Sequence, residues 1–367
     1  MNTEQKRSRH KQFFQPLEKG EGGYLAVISP INDSGKPPIA VSPPQSLEEK
    51  WLSTEYLIKT AEASAQNIFW GQDAIHNVFV NMGPGVQAAM LGAPYRLAND
   101  SIWFDTDPPL KDYCSPLTLV TNKNHPLYKA IDSHTRGLCA ASKGRYTVSI
   151  TDIGGQLDVL FSLRGEDLLT DFIEYPDEVL ATEAKLDEEF LRYFNELTSI
   201  IGPTGCGHSS WMQLVNDTPY APIQCDVSVM LSPAMFEKFV MPSLDKVSTV
   251  IGTAIYHLDG PEGVPHLDMV LSLKHVHAIQ WVPLPYHASD GSISFNYADE
   301  ISLDIYRRTK AAGKKVVLSN VNPRSNQIET IFDAVGCDGV FMYTQCHTRK
   351  EADELIAYAH KQKWIAV

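Results

Sequence analysis

Residues 253–282, TAIYHLDGPEGVPHLDMVLSLKHVHAIQWV, form one strand–helix–strand pattern. The runs 253–258 and 278–282 are apolar and rich in β-branched or aromatic residues, as in buried strands, whereas residues 263–273 have the apolar spacing of a helix. A helix between two such strands is typical of a parallel sheet. This stretch therefore predicts an α/β fold.

The same alternation extends along the chain on both sides of this stretch. Further strands are predicted at 24–29, 76–80, 146–151, 221–225, 315–319 and 339–343. Further helices are predicted at 51–68, 86–91, 126–142, 177–201, 233–250, 298–312, 324–335 and 348–363. The spacing of these elements is compatible both with a closed barrel and with an open sheet. The Asp- and Pro-rich segment 92–125 is predicted to be a long functional loop.

Residues 1–50 differ from the rest of the chain because they are rich in Pro, Gly, Ser and Lys. We expect an extended N-terminal arm over 1–50 that covers the fold or a neighbouring subunit, followed by one domain over 51–367. The basic cluster between Lys6 and Lys11 is expected to be a solvated tail.

Composition excludes several classes of protein. The formal net charge is −13, which gives no electrostatic footprint for nucleic acid or an anionic membrane surface. The sequence lacks both an apolar run long enough for a transmembrane helix and the apolar region of a secretory signal, so we expect a cytoplasmic protein. The six cysteines include no C-x-x-C pair and predict no disulfide framework.

Ligands of parallel α/β folds bind at the carboxyl ends of the strands, so polar residues that end an apolar run are the candidate site residues. His257 and Asp259 end one predicted strand and, two residues apart, lie on the same side of it. An imidazole and a carboxylate placed in this way can bind a divalent metal or act as a base and its orienting partner. The alternative is a structural hydrogen bond between the two side chains.

Two other strand ends carry carboxylates. Asp152 ends the strand at 146–151 and is followed by Gly154 and Gly155, which would allow backbone to approach a ligand closely. Asp158 is either part of the same site or a helix cap. Cys225 and Asp226 end the strand at 221–225 and point to opposite faces, so only one of them can face the site. Asp226 is alternatively a helix cap.

Three more residues complete the candidate set. Gln280 and Trp281 end a strand and suit a substrate wall, although Trp281 suits a packed core nearly as well. Cys346 lies just before a predicted helix, whose N-terminal dipole would lower the pKa of the thiol. With His257 and Asp259 it would form a nitrogen, oxygen and sulfur set for Zn²⁺. Residues 83–88 also match the dinucleotide pattern G-x-G-x-x-A, but no second strand with a terminal acid follows them.

These motifs resemble the uroporphyrinogen decarboxylase and corrinoid methyltransferase superfamily. The resemblance rests on QCD at 224–226 with the Ser-Pro-Ala-Met-Phe run that follows, on YHLDGP at 256–261, and on IQWVP at 279–283. It is collinear over about 50–363 and also includes NMGPG at 81–85 and DIGGQLD at 152–158.

The resemblance implies a (β/α)₈ TIM barrel, a homodimer, and one of two chemistries. The decarboxylases use no metal and hold an acidic tetrapyrrole with an N-terminal arginine motif. In this chain, residues 1–50 have only Arg7 and Arg9 and lack that motif. The methyltransferases bind Zn²⁺ through His-x-Cys and a later Cys, which correspond here to His257-x-Asp259 and Cys346. The replacement of Cys by Asp keeps a set that can bind metal but makes it a harder one. Asp226 is a further candidate ligand.

Three hypotheses follow. The first is a Zn²⁺-dependent methyltransferase that acts with a corrinoid protein or a small methylated substrate, with Asp226, His257 and Asp259 as catalytic residues and with Asp152, Gln280 and Trp281 shaping the substrate pocket. The second is a metal-free decarboxylase or lyase in which Asp226 or Asp259 stabilises a cationic intermediate and His257 is the acid. The third is a non-catalytic corrinoid- or tetrapyrrole-binding partner that has kept the fold.

Overall fold

The computed structural model of the chain describes residues 1–31, 37–104, 107–113, 119–287 and 293–365, so Cys114 and parts of the predicted 92–125 loop lie outside the described residues. The strands, numbered in chain order, are β1 (Tyr24–Pro30), β2 (Ile68–Gln72), β3 (Asn77–Phe79), β4 (Tyr95–Leu97), β5 (Ile102–Phe104), β6 (Thr147–Ser149), β7 (His208–Ser209), β8 (Val215–Asn216), β9 (Ala221–Gln224), β10 (Ala254–Asp259), β11 (Val276–Val282), β12 (Pro285–His287), β13 (Ile293–Phe295), β14 (Lys315–Leu318) and β15 (Val340–Gln345).

The α-helices are α1 (Thr3–Phe13), α2 (Leu47–Leu52), α3 (Thr54–Asn67), α4 (Val86–Met90), α5 (Pro126–Ser142), α6 (Gln156–Arg164), α7 (Asp167–Glu174), α8 (Pro176–Ile201), α9 (Pro233–Met235), α10 (Met241–Ile251), α11 (Leu267–Ser272), α12 (Glu300–Ala311), α13 (Gln327–Val335) and α14 (Arg349–Lys361). Short 3₁₀ segments occur at Gly202–Thr204, Asp226–Met230 and Pro261–His266, and a π-helical segment at Phe236–Val240. No helix in the described part of the chain has the length and apolar character needed to cross a membrane.

The strands form two main sheets and two hairpins. The larger sheet has the order β2-β1-β15-β14-β11-β10-β9, and its pairs are parallel except for β1 with β2. The smaller sheet has the order β3-β6-β7-β8 and is parallel except for β7 with β8. The hairpins are β4–β5, which lies inside the predicted 92–125 loop, and β12–β13. The predicted α/β class with parallel strands is therefore confirmed.

The closed (β/α)₈ barrel is not confirmed. Among the described strands, no ladder of hydrogen bonds joins the two sheets into a ring. At one side, antiparallel β2 occupies the edge of β1 that closure would offer to β3. At the other side, β7 has only two residues, and antiparallel β8 occupies its free edge. The antiparallel strands therefore stand where closing pairs would form.

The N-terminal segment differs from the predicted extended arm because it supplies both a helix and a central strand. His10 of α1 is buried: its Nε2 donates to the Asp73 carbonyl at 2.7 Å, and its Nδ1 accepts from the Val215 amide at 3.0 Å. Arg9 pairs with the fully buried carboxylate of Asp73. The basic cluster is therefore not wholly a solvated tail: Lys6 donates to the buried Ala74 carbonyl at 2.9 Å and Arg9 pairs with Asp73, whereas Lys11 forms an exposed pair with Asp217.

The predicted bounds of the long helix and of the strands in the second half are close to those observed. The helix expected at 177–201 is α8 (Pro176–Ile201), and the strands expected in the second half differ from β9, β10, β11, β14 and β15 by a few residues at their ends. The hydrophobic core includes the fully buried strand residues Val27, Ala254 and Leu318. This packing fixes the carboxyl ends of the strands, where the candidate site lies.

Candidate functional site

A cavity of about 330 Å³ lies where the carboxyl ends of the two sheets meet. Its lining residues come from the ends of β3, β6, β7, β9 and β10 or from the loops after them: Phe79, Asn81, Gly83, Pro84, Asp152, Trp211, Gln224, Asp226, His257 and Asp259. Carboxyl ends of parallel strands are where α/β folds bind their ligands. We therefore take this cavity as the candidate active site.

Three of the lining residues form a group that could hold a metal ion. Asp226, His257 and Asp259 each offer a ligand atom, and these atoms all lie within 4.8 Å of one another. His257 and Asp259 are two residues apart on β10 and share one face of the strand. Gln224 of β9 is paired with His257, so Asp226, two residues further on, reaches the level of Asp259. Adjacent parallel strands thus bring the three ligands together.

The local structure at the end of β9 decides which of Cys225 and Asp226 faces the cavity. Cys225 is buried in the core, where loss of water raises the pKa of its thiol well above the usual value. Asp226 opens to the cavity as the first residue of the 3₁₀ segment Asp226–Met230. The following helix is capped by Ser232, whose hydroxyl accepts from the Met235 amide at 3.3 Å. Asp226 is therefore a cavity residue and not that helix cap.

His257 is held in one tautomer by Gln280. The Trp211 indole donates from Nε1 to Gln280 Oε1 at 3.3 Å, and Gln280 Nε2 donates to Ser319 Oγ at 3.2 Å. Because indole N–H only donates, this oxygen is an acceptor, and His257 must donate to it from Nδ1 at 2.8 Å. The neutral ring then keeps a lone pair on Nε2, which is the form that binds metal.

The carboxyl groups around the cavity are short of counter-charge. Loss of water raises the pKa of Asp152 to about 6, against the lowering effect of the hydrogen bond that its Oδ1 accepts from the Gly154 amide at 2.9 Å. Loss of water around the carboxyl and, to a smaller extent, the charges of Asp259 and Asp152 raise the pKa of Asp226 to about 7. None of the described residues that line the cavity is a lysine or an arginine.

Asp158 lies next to this group. Its Oδ1 accepts from the Val227 amide at 2.8 Å, so it ties α6 to the segment that carries Asp226. Its Oδ2 is buried and has no hydrogen-bond partner. Burial and, to a smaller extent, the charge of Asp226 raise the pKa of Asp158 to about 7. Asp158 therefore supports the site from behind and is not the cap of α6, whose N-cap residue is Gly155.

Gly155 permits the close packing of α6 against β9. A Cβ atom at this position would lie 2.2 Å from the Gln224 carbonyl oxygen and 2.5 Å from Asp158 Oδ2. Gly154, which precedes it, has a φ of +88°, in the left-handed region that glycine adopts most readily. Gly155 of the DIGGQLD motif therefore permits close approach between two pieces of backbone, and Gly154 permits the left-handed turn before it.

The predicted ligand Cys346 is not a member of the group formed by Asp226, His257 and Asp259. It lines a separate cavity of about 740 Å³ that includes Asn320, Arg324 and His347. Strands β14 and β11 lie between β15 and β10, so three spacings of about 4.8 Å separate the two strand axes by roughly 14 Å. Burial raises the pKa of the Cys346 thiol to about 12, which is opposite to the expected lowering.

Gln280 and Trp281 do not line the cavity either. Gln280 is buried behind His257 and touches it through Oε1. Trp281 is only 1% exposed, and its indole N–H donates to Ser302 Oγ at 2.8 Å. For Trp281, the packed-core alternative describes its position.

Sequence reasoning missed the aromatic side of the cavity. Trp211 follows β7, which is too short to show an alternating pattern, and Phe79 lies inside a predicted strand whose exposed face was unknown. Asn81 and Gln224 belong to the NMGPG and QCD motifs, but the sequence did not single them out as site residues. The strand-end rule that selected Asp226 would also have selected Gln224.

Comparisons with known proteins give a structural likeness. No family model matches the chain, and no curated protein matches it in sequence. A solved structure, a methyltransferase from Methanosarcina mazei, is similar over 97% of this chain and 98% of that chain, with a TM-score of 0.59 and 13% sequence identity. The chain therefore shares its fold with that methyltransferase.

Proposed function

We propose that the cavity is the active site of a metal-dependent methyltransferase, with Asp226, His257 and Asp259 as the metal ligands. The observation that carries this proposal is the convergence of these three ligand atoms within 4.8 Å, with the Nδ1 of His257 already committed to Gln280. The shared fold with a methyltransferase supports the choice of reaction class by analogy.

The residues fit a divalent cation. Two carboxylates and a neutral imidazole are donors that Zn²⁺ and harder ions accept. Loss of water and neighbouring negative charge raise the pKa of Asp226 because both disfavour its ionised form. A bound cation would stabilise that ionised form. Cys346 has no part in the proposed ligand set because it lines another cavity. The set is accordingly harder than the sulfur-containing set that the sequence suggested.

A divalent ion held by these ligands would supply Lewis acidity, which polarises an atom of the substrate or of the methyl acceptor. The chain supplies orientation and charge. Gln280 fixes the imidazole of His257, and Asp158 holds the backbone after Asp226. A corrinoid protein or a small methylated compound would be the partner in the transfer.

Metal binding by purified protein tests the proposal. Protein purified without chelator is titrated with Zn²⁺ and with Mn²⁺ by calorimetry, alongside Asp226→Asn, His257→Ala and Cys346→Ala. We expect one ion per chain, a loss of binding of at least tenfold in the first two variants, and unchanged binding in Cys346→Ala. Equal binding by all four proteins, or loss in Cys346→Ala alone, would refute the proposed ligand set.

A metal-free decarboxylase or lyase is the second candidate. It is favoured by the raised pKa of Asp226, about 7, because a carboxyl with this pKa keeps a proton near neutral pH and can act as an acid. Activity that is complete in the presence of chelator and lost in Asp259→Asn would select this candidate over the metal-dependent one.

A further inference from the structure

The charge of the cavity restricts what can enter it. Three carboxylates line it, from Asp152, Asp226 and Asp259, and no lysine or arginine is among the described lining residues. A divalent ion held by Asp226 and Asp259 would balance two negative charges and leave that of Asp152. Such a site repels carboxylates, phosphates and sulfonates and attracts a cation.

Two aromatic rings, those of Phe79 and Trp211, also line the cavity. The rings of Phe79 and Trp211 have centroids 6.3 Å apart and are inclined at 51°, and Trp211 also meets His257 edge-on at 6.3 Å. Because the indole N–H of Trp211 is committed to Gln280, the ring offers the cavity its carbon surface and no free donor. Aromatic faces attract cations, and they suit best those that lack N–H groups, such as methylated ammonium ions.

The size of the cavity agrees with a small ligand. A volume of about 330 Å³ lies at the lower end of the range of ligand pockets, roughly 300–1,000 Å³, and is far from what a tetrapyrrole needs. The neutral polar groups on the lining, the amides of Asn81 and Gln224, can hydrogen-bond to a polar tail without adding charge.

We propose that the substrate is a small methylated ammonium ion, with its nitrogen held between the rings of Phe79 and Trp211 and the carboxylate of Asp152. This inference rests on the proposed methyl transfer. In that reaction the methyl–nitrogen bond breaks, its electron pair stays on nitrogen, and a nucleophile such as a reduced corrinoid supplies the pair for the new bond. The immediate product is a neutral amine, whose new lone pair takes up a proton from water.

Binding of choline and of its uncharged carbon isostere, 3,3-dimethylbutan-1-ol, tests the inference without any turnover. Calorimetry is done on the whole protein, with chelator and with saturating Zn²⁺. We expect choline to bind and the isostere to bind at least tenfold more weakly, since only charge distinguishes them. Equal affinities, or no binding of choline in either state, would overturn the proposal.

Variants locate the binding. Phe79→Leu and Trp211→Leu are each expected to weaken choline binding by about tenfold, and Asp152→Asn by a similar factor. Phe79→Leu keeps the hydrogen bond between Trp211 and Gln280, so it separates loss of the ring from disturbance of His257. Trp103→Leu, which removes an exposed indole from β5, is the matched control. Unchanged affinity in both cavity aromatic variants, with thermal unfolding unaffected, would contradict the assignment.

The two proposals fail in different ways. If choline binds and depends on these rings while no metal binds, the metal-dependent function is wrong and the substrate class stands. If metal binds to Asp226, His257 and Asp259 but choline does not bind to the metal-loaded or metal-free protein, the substrate class is wrong and the metal site stands.

Discussion

Nδ1 of His257 lies 2.8 Å from Oε1 of Gln280, across the neighbouring strands β10 and β11. The register pairs these two residues directly, so the contact is built into the sheet and does not depend on a loop. The amide of Gln280 is itself oriented by Trp211 and Ser319. One buried glutamine therefore determines which nitrogen of the imidazole faces the cavity.

Replacement of Gln280 by Leu should weaken metal binding by about 10- to 100-fold, because an unanchored imidazole can turn and change tautomer. In the metal-free wild-type protein, two-bond ¹⁵N–¹H NMR correlations should show His257 protonated on Nδ1. Gln345→Leu, at the other cavity, is the control. An Nε2-protonated ring in the wild type, or full metal affinity in Gln280→Leu, would show that this contact does not orient the ligand.

The pH dependence of stability should report the carboxyl of Asp226. The folded protein keeps this proton up to about pH 7, whereas an unfolded chain releases it near pH 4. The folded state therefore loses relative stability as the pH rises from about 4 to about 7, and that loss persists at higher pH. Without metal, Asp226→Asn should unfold at a higher temperature than the wild type at about pH 8 and at a similar temperature at about pH 4.

Saturating Zn²⁺ should reverse that order at about pH 8, because only the wild type keeps the complete ligand set and binding to the folded state stabilises it. The same midpoint for the two proteins at every pH, with and without metal, would show that Asp226 neither carries a shifted proton nor binds the ion.

Gly155→Ala should lower the free energy of unfolding by about 1–3 kcal/mol, the usual cost of overpacking. The new methyl group would lie 2.2 Å from the Gln224 carbonyl oxygen, so either α6 or the end of β9 must move. Since Asp226 follows that strand, metal affinity should fall as well. Gly202→Ala is the control, because a Cβ there meets only the His208 ring at 3.7 Å. Denaturant unfolding that gives equal losses for both variants would argue against a specific clash.

Asp73→Ala should destabilise the protein by about 3–5 kcal/mol, because it leaves the guanidinium of Arg9 without its partner inside the fold. The same carboxylate also accepts the Leu25 amide at 2.7 Å, so the change affects both α1 and β1. Asp217→Asn breaks the exposed pair with Lys11 and should cost about 0–1 kcal/mol. Chemical denaturation of both variants measures the difference, and a small loss in Asp73→Ala would make the N-terminal segment a dispensable arm after all.

The sequence predicts the repeated strands and helices well because each apolar run leaves its own periodic signal. It also brings His257 and Asp259 to one face of a strand, since side chains two residues apart share a face. The closed barrel was not predictable in this way. Closure depends on which edges remain free, and short or antiparallel strands such as β7, β8 and β2 occupy the edges without a clear pattern.

The distances between residues on different strands were also not predictable, because they depend on the strand order. His257 and Cys346 both follow apolar runs, so the sequence does not tell how far apart their strands lie. The strand order places β14 and β11 between them. The partner in the neighbouring strand was instead Asp226, through the register of Gln224 with His257. The pKa of Cys346 was also not predictable from the sequence. Burial raises the pKa of the thiol, and this effect outweighs the lowering expected from the helix that follows.

Anomalous scattering from crystals grown with Zn²⁺ and measured on both sides of the zinc absorption edge would locate the ion itself. We expect one strong peak bounded by the carboxylates of Asp226 and Asp259 and by Nε2 of His257. A peak beside the Cys346 sulfur, or no peak in the cavity of a zinc-saturated protein, would contradict the proposed metal centre.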